Sequence, residues 1–446
     1  MKRPLIALSI LAFVLFPALP IDGDPLILTE EGAVDRALEY NLGLAANRQE
    51  LAGSRRRAET AWNVLVPEVT ASAGLQRTNE ATAVLPPGEE YRLTAVGGVE
   101  GRLALSLAAI EGIRTAEMEY RTGAAGYRES AAAVEQEIRK SFYNLILLEE
   151  QLAVAVSSVE TAEAGLAQAR ADYENGFEPE LTLRQAQVSL QTAVLNAERR
   201  RAAVADARET FKRLLGIEQE VEIALRGSIR LPERVSRDLD SLTPEESLGG
   251  RFDIQTLDAQ IARQESLNQA NALNARTPTL TLSAGWNPTL ADPFNPDNTV
   301  NDEWVDRGSV GITLSLGLDD YLPFSASSVA VQAGRRSAES LRLQRQDALE
   351  SARNEVDSLL RSLESSRVAL ESLELSLELA TEVYTLTEEA YDEGAVSFVE
   401  LLEAEEDLRD ARSSLLSEQY RHLAALIDLE YATNRHIRGP GKGRLR

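Results

Sequence analysis

Residues 391–408 read YDEGAVSFVELLEAEEDL, and residues 173–190 read YENGFEPELTLRQAQVSL. Laid side by side without a gap, Tyr391 meets Tyr173, Gly394 meets Gly176, Leu401 meets Leu183 and Ala404 meets Ala186. The match runs on through Leu408 with Leu190 and Ala411 with Ala193. Two further pairs lie upstream in the same order: PEVTASAG (67–74) with PTLTLSAG (278–285), and LALSL (103–107) with ITLSL (312–316). Three landmarks repeated in order mark a duplicated unit of about half the chain.

Each copy changes period along its length. A helical segment comes first. In the first copy Thr29 can cap it, Glu30 and Glu31 suit the positive end of the helix dipole, and the pattern runs to about Val66, before Pro67. In the second copy it spans from about Thr243-Pro244 to Arg276-Thr277. Alternation comes next. Val69, Ala71, Ala73 and Leu75 share one face, as do Leu93, Ala95, Val99, Leu103, Leu105 and Leu107. The second copy repeats this with Leu280, Leu282, Ala284 and Trp286, then Val310, Ile312, Leu314, Leu316 and Leu318. Ser309, Gly311, Thr313, Ser315 and Gly317 occupy the opposite face of that last run. Period two means strand, with one apolar and one polar or small face. Turn-rich stretches near Pro86 and Pro293 make each pair a hairpin, over 68–107 and 279–318.

The rest is helical. No proline interrupts 111–172 or 325–392. At ~1.5 Å per residue these helices reach on the order of 90–100 Å. Val356, Leu359, Leu363, Ser366, Leu370, Leu373, Leu377, Ala380, Tyr384, Thr387 and Tyr391 advance by alternating threes and fours. That is a coiled-coil seam. Phe142, Leu145, Leu148, Leu152, Val156, Val159 and Leu166 predict its counterpart. Each long helix stops at a Tyr-x-x-Gly turn, and a second helix returns over 181–215 and 398–433. The expected organisation is a leader (1–23), a first repeat (24–217), an inter-repeat linker or equatorial segment (218–242), a second repeat (243–434) and a basic tail (435–446).

Bulk properties narrow the function. The formal charge of −25 argues against nucleic-acid binding. With no cysteine there is no disulfide, thiolate metal site or cysteine nucleophile. The two histidines, His422 and His436, read as exposed structural residues rather than a metal pair. No phosphate loop, His-Glu-x-x-His helix or nucleophile elbow is present, so neither an enzyme nor a cofactor is expected. Lys2 and Arg3 followed by LIALSILAFVLF (5–16) have the charged-then-apolar order of a secretory leader. No later apolar run predicts a transmembrane helix.

Tilted strands of about ten residues match the hydrocarbon thickness of a bilayer. The apolar face would meet lipid, with Trp286 and Trp304 toward the interface. Four strands cannot close a barrel, and an open edge in lipid leaves backbone groups unpaired. Three copies would supply twelve strands, an even number in the usual range. A coiled-coil scaffold, periplasmic or cytosolic, explains the helices equally well but neither the strands nor the leader.

The repeated turn and its Ala/Leu-spaced helix, with two hairpins and a leader, resemble the TolC family of outer-membrane efflux proteins. Arg251-Phe252-Asp253-Ile254 is similar to a recurrent family segment that usually has Pro where Phe252 stands. The resemblance implies a mainly α homotrimer. A twelve-stranded barrel would sit in the outer-membrane lipid, and a long α-barrel would cross the periplasm. It also implies an exit duct for a tripartite efflux or type I secretion system, reached through a periplasmic adaptor and an inner-membrane transporter. Within the family, acidic residues at the positions of Glu400 and Glu403 ring the pore opening. The matched first-repeat positions, Thr182 and Gln185, are uncharged. The bland alternative is an acidic helix start. Gly176 and Gly394 would permit the reversals and seat the adaptor, with Tyr173 and Tyr391 preceding them. Val396 replaces a basic residue found in some members, which argues against a salt-bridged latch.

Overall fold

The computed structural model describes residues 25–82, 91–229, 248, 250–291, 293, 304–305 and 307–435. The expected leader, the hairpin tips near Pro86 and 294–303, residues 230–242 of the linker, Thr243, Pro244, His436 and the tail beyond 435 lie outside them.

Four strand paths form one antiparallel sheet. They are β2 (Glu68–Thr82), β3 (Tyr91–Leu105), β5 (Thr279–Trp286) and β7 (Gly308–Ser315), in that spatial order. Their registers put like with like. Leu105 faces Leu280, which faces Leu314; Leu103 faces Leu282, which faces Ile312. Val69 faces Gly101, which faces Ala284, which faces Val310. Opposed residues share a face, so the alternation read along each strand becomes one apolar surface across all four. That surface is bare: Val310 is 86% exposed, and Ile312 and Leu314 are exposed too. Thr70, Glu100, Gly285 and Ser309 line up on the other face. A short strand, β6 (Thr289–Ala291), resumes the path of β5 beyond Asn287-Pro288 and pairs with Thr94–Val96 of β3. Pro288 has no N–H to give a ladder, but its carbonyl still accepts from Gly97 at 3.0 Å.

The helices begin where the strands stop. Ser106 caps α3 (Leu107–Glu174) by accepting from the Ala109 N–H, so Leu107 opens a helix rather than ending a strand. Likewise β7 ends at Ser315, and Leu316 and Leu318 lie beyond it. Ser325 caps α6 (Ala326–Asp392). These helices, of 68 and 67 residues, carry the chain about 100 Å away from the sheet. The returning helices are α4 (Glu180–Leu214) and α7 (Phe398–Thr433), and α5 (Phe252–Arg276) leads into β5.

Further expectations need correction. The single helix expected from Thr29 to Val66 is broken. α1 (Glu30–Tyr40) stops at Asn41, and α2 (Leu42–Thr60) restarts from it and ends in a 3-10 turn, Ala61–Leu65. Asn41 Oδ1 accepts from the Leu44 N–H, and its Nδ2–H donates to the Leu214 carbonyl at 3.0 Å. The break is where the end of α4 docks. There Gly216 has φ +63, and a Cβ on it would stand 2.6 Å from the Tyr40 carbonyl oxygen. The linker or equatorial segment includes β4 (Ile223–Leu225), which pairs in parallel with β1 (Leu26–Leu28). Finally, α3 contains a stretch apolar enough by composition to cross a bilayer. Its Phe142 and Leu145, however, are buried in a helical core with Leu28, Val34, Phe211 and Ile223.

The second repeat packs Val356 and Leu363 of α6 on Leu426, Leu429 and Ala432 of α7. The seam predicted on α6 is the face that packs, with Leu370 and Ser366 also buried. On α3 the seam differs from expectation: Val156 is exposed, and Ala155, Ala162 and Ala169 are buried in heptad steps, with Ala169 packed against Ala186 of α4. Alanine at the contact lets two helices approach closely. Between the repeats, Lys140 pairs with Asp428 at 3.0 Å and Arg139 with Glu430 at 2.9 Å. Arg251 ties the start of α5 to the α6–α7 pair. It reaches Asp253 at 2.9 Å, Glu355 at 2.8 Å and the Ala432 carbonyl at 3.3 Å. Together these carboxylates outweigh its desolvation and hold its pKa above the ordinary arginine value.

The sheet faces and the Arg251 junction can each be tested. Leu314→Asp puts a carboxylate on the bare apolar surface and should cost up to a few kcal/mol in the membrane. Thr313→Asp places it on the polar face and should assemble nearly normally. Heat-modifiable gel mobility of membrane fractions compares them, and equal defects would refute the face assignment. Arg251→Ala should destabilise the protein by roughly 1–3 kcal/mol, since it strands the buried Ala432 carbonyl and removes ion pairs to two part-exposed carboxylates. Thermal melts of the detergent-solubilised protein, with Arg251→Lys losing less, test this.

Candidate functional site

At the end of the helices away from the sheet, two five-residue turns sit together. Asn175–Pro179 joins α3 to α4, and Glu393–Ser397 joins α6 to α7. Both close in the same way. The Phe177 N–H donates to the Asp172 carbonyl at 2.8 Å and the Gly176 N–H to the Tyr173 carbonyl at 3.0 Å. In the second turn Ala395 donates to Ala390 at 2.8 Å and Gly394 to Tyr391 at 2.9 Å. This paired pattern, six-to-one and five-to-two, satisfies the last carbonyls of a helix and needs a left-handed residue. Gly176 has φ +79 and Gly394 φ +73, and nothing lies within 4 Å of a Cβ built on either. Backbone conformation, not space, therefore demands glycine at both.

The turns differ at the start of the returning helix. In the second repeat Ser397 caps α7. The Glu400 N–H donates to its Oγ, and Glu400 Oε2 accepts from the Ser397 N–H at 2.7 Å and from its hydroxyl at 2.9 Å. This is a reciprocal capping box. The backbone N–H of Ser397, with its hydroxyl, holds the Glu400 carboxyl below the usual carboxylate range, so it stays ionised at neutral pH. The bland reading of Glu400 as part of a helix start is thus present in the structure. It does not exclude an aperture role, because the side chain remains exposed. Glu403, one turn on, is exposed as well, and Ala404 beside it is buried. In the first repeat Pro179 stands at the cap with no side-chain hydrogen bond. There Thr182 is buried and donates to Glu178 at 2.9 Å.

The tyrosines also part ways. Tyr391 packs its ring 5.9 Å from that of Phe398, whereas Tyr173 is exposed. Phe398 inserts between the helices of the first repeat, against Ala169 and Ala186. Between α6 and α7, the Tyr384 hydroxyl donates to Glu388 at 3.2 Å, and burial and the nearby carboxylates push its pKa up to about 12. Glu405 is also raised, by burial, with Arg409 opposing. The second-repeat turn is therefore a strongly acidic segment in which exposed and half-buried carboxylates mix.

Sequence reasoning missed Phe398 and Ser397. The Ser-x-x-Glu spacing of 397–400 was a visible capping signal. Nothing in one sequence marks Phe398, because its hole is made by the other repeat. His422 needs correcting: it is buried on α7, near Glu418, which accepts from Ser366 at 2.5 Å. Burial lowers its pKa, with Glu418 opposing. No group of metal-ligating side chains occurs among the described residues.

The chain shares its fold with solved outer-membrane proteins. It matches the outer membrane protein VceC of Vibrio cholerae at TM-score 0.74 and 15% identity, covering 92% of this chain and 96% of that one. The CmeC outer membrane channel of Campylobacter jejuni matches at 0.77 and 17%, covering 91% and 85%. The MtrE outer membrane channel of Neisseria gonorrhoeae, in its open state, matches at 0.69 and 18%, covering 93% and 91%. No curated protein sequence matches significantly. The family described as Outer membrane efflux protein matches residues 33–217 and 243–435. The two segments take in both repeats, turns included, and the chain belongs to the outer membrane efflux protein family.

Proposed function

We propose that three copies of this chain form the outer-membrane exit duct of a tripartite efflux or type I secretion system. The protein is an outer-membrane efflux channel that extends into the periplasm. The observation that carries the trimer is the sheet. One face is bare and apolar apart from Arg77, opposite Leu93, and among the described residues its two outer strands, β2 and β7, each have an unpaired edge. Edges of that kind in hydrocarbon cost several kcal/mol for each unsatisfied group, so other copies must pair them. Helices of about 100 Å then carry the lumen across the periplasm. The bare face disfavours a coiled-coil scaffold that never meets lipid, since it would aggregate in water.

The duct is a passive conduit. Energy comes from an inner-membrane transporter, and a periplasmic adaptor meets the turns at Gly176 and Gly394. Its cargo is small molecules or proteins that pass by diffusion. Glu400 and Glu403 from three chains form the opening. Their mutual repulsion raises the cost of full ionisation, against the local capping that favours it at Glu400. Such a ring favours cations and binds polyvalent ones.

Gly394→Arg should abolish transport while the trimer remains folded in the membrane. The cost to the turn is about 1–2 kcal/mol, far too little to unfold the protein. Full efflux with unchanged adaptor cross-linking would remove the docking assignment. Replacing both Glu400 and Glu403 by Ala should reduce cation selectivity and weaken block by added polyvalent cations, measured as single-channel conductance in planar bilayers. The same double change at Thr182 and Gln185 should leave the block nearly intact. A Glu400/Glu403 double variant blocked as strongly as wild type would place the opening elsewhere.

A further inference from the structure

We propose that Phe398 is a positioning residue that holds the acidic turn of the second repeat against the helix pair of the first, and so sets the width of the opening. The inference rests on the duct reading above and deepens it.

Phe398 is the first residue of α7, directly after the capped Ser397. The capping box fixes the direction in which α7 leaves the turn, and with it the direction of the ring. The ring is only 5% exposed. Its hole is built from small residues on two other helices: Ala169 on α3 and Ala186 on α4, with Leu166 at the margin. Gly165 completes it, since a Cβ there would lie 3.4 Å from the ring edge. Tyr391, on the incoming helix, closes the near side at a tilt of 53°. One ring thus joins both helices of one repeat to both ends of the other repeat's turn. Glu400 and Glu403 stand within the next two turns of the helix that Phe398 anchors.

The device is made once. The residue matched to Phe398 in the first repeat is Glu180, which is exposed and paired with Arg184 at 2.9 Å. Among the described side chains no ion pair joins the two turns, and Val396 offers no cation there. The second turn thus meets the first repeat through an apolar knob in a small-residue hole. Such a contact depends on buried area and fit, not on ionic strength.

The test uses the full-length trimer in planar bilayers. Phe398→Ala should raise single-channel conductance several-fold and weaken block by lanthanum(III) by roughly an order of magnitude. Phe398→Leu should restore most of both. Gly165→Val leaves Phe398 in place but fills its hole, and should shift both readouts in the same direction. It decides the matter if Phe398→Ala fails to assemble. Glu180→Ala should change neither. If the wild-type trimer conducts and is blocked, while Gly165→Val and any assembled Phe398→Ala behave like it, the anchoring role is overturned and the duct reading stands. A wild-type trimer without conductance overturns the duct reading, and the inference falls with it.

Discussion

Backbone groups in hydrocarbon must be paired, and that constraint orders the rest of this molecule. The sheet has four strand paths and two open edges, so one chain cannot satisfy it. The registers serve the same end. Leu105, Leu280 and Leu314 stand in one row, and Leu103, Leu282 and Ile312 in the next. A slip of one residue on any strand would send its apolar side chains to the wrong face. Ser106 ends β3 sharply by capping α3, so strand turns to helix across one residue in the first repeat, whereas ten residues separate β7 from α6 in the second.

The helices solve a different problem. Helices of 68 and 67 residues have no globular core to sit on over most of their length. They are held by seams, by a larger core in the first repeat and by ion pairs between the repeats. The core lies midway along α3, where Phe142 meets Phe211 and the parallel strands β1 and β4 close over it. Arg251 does the matching work in the second repeat, with two carboxylates and a carbonyl where the first repeat has strands and aromatic rings.

Duplication supplied two turns with the same backbone hydrogen bonds, and divergence made them unequal. One turn ends in an uncapped Pro179 and carries Phe177 at 80% exposure. The other is capped, acidic and pinned by a buried ring.

Much of this was legible in the chain. Period two and period three-and-a-half are local properties, so strands, long helices and the repeat itself could be read from side-chain spacing. The Tyr-x-x-Gly turns were readable because a positive φ leaves glycine as the cheap choice. The sequence by itself determined which face of each strand is apolar, where the helices reverse, and that Glu400 and Glu403 come just after a turn. Only the tertiary structure decided what depends on distant partners. Asn41 breaks a helix because α4 docks there, and Ile223 joins a strand because Leu26–Leu28 lies beside it. His422 is buried although it looks like a surface residue, one turn from Glu418, which α6 engages through Ser366. Val156 is exposed and Ala155 beside it is buried, because the face of α3 that packs is set by where the other helices lie. Phe398 gains its role from Gly165, Ala169 and Ala186, more than two hundred positions away, and spacing along one chain carries no record of that meeting.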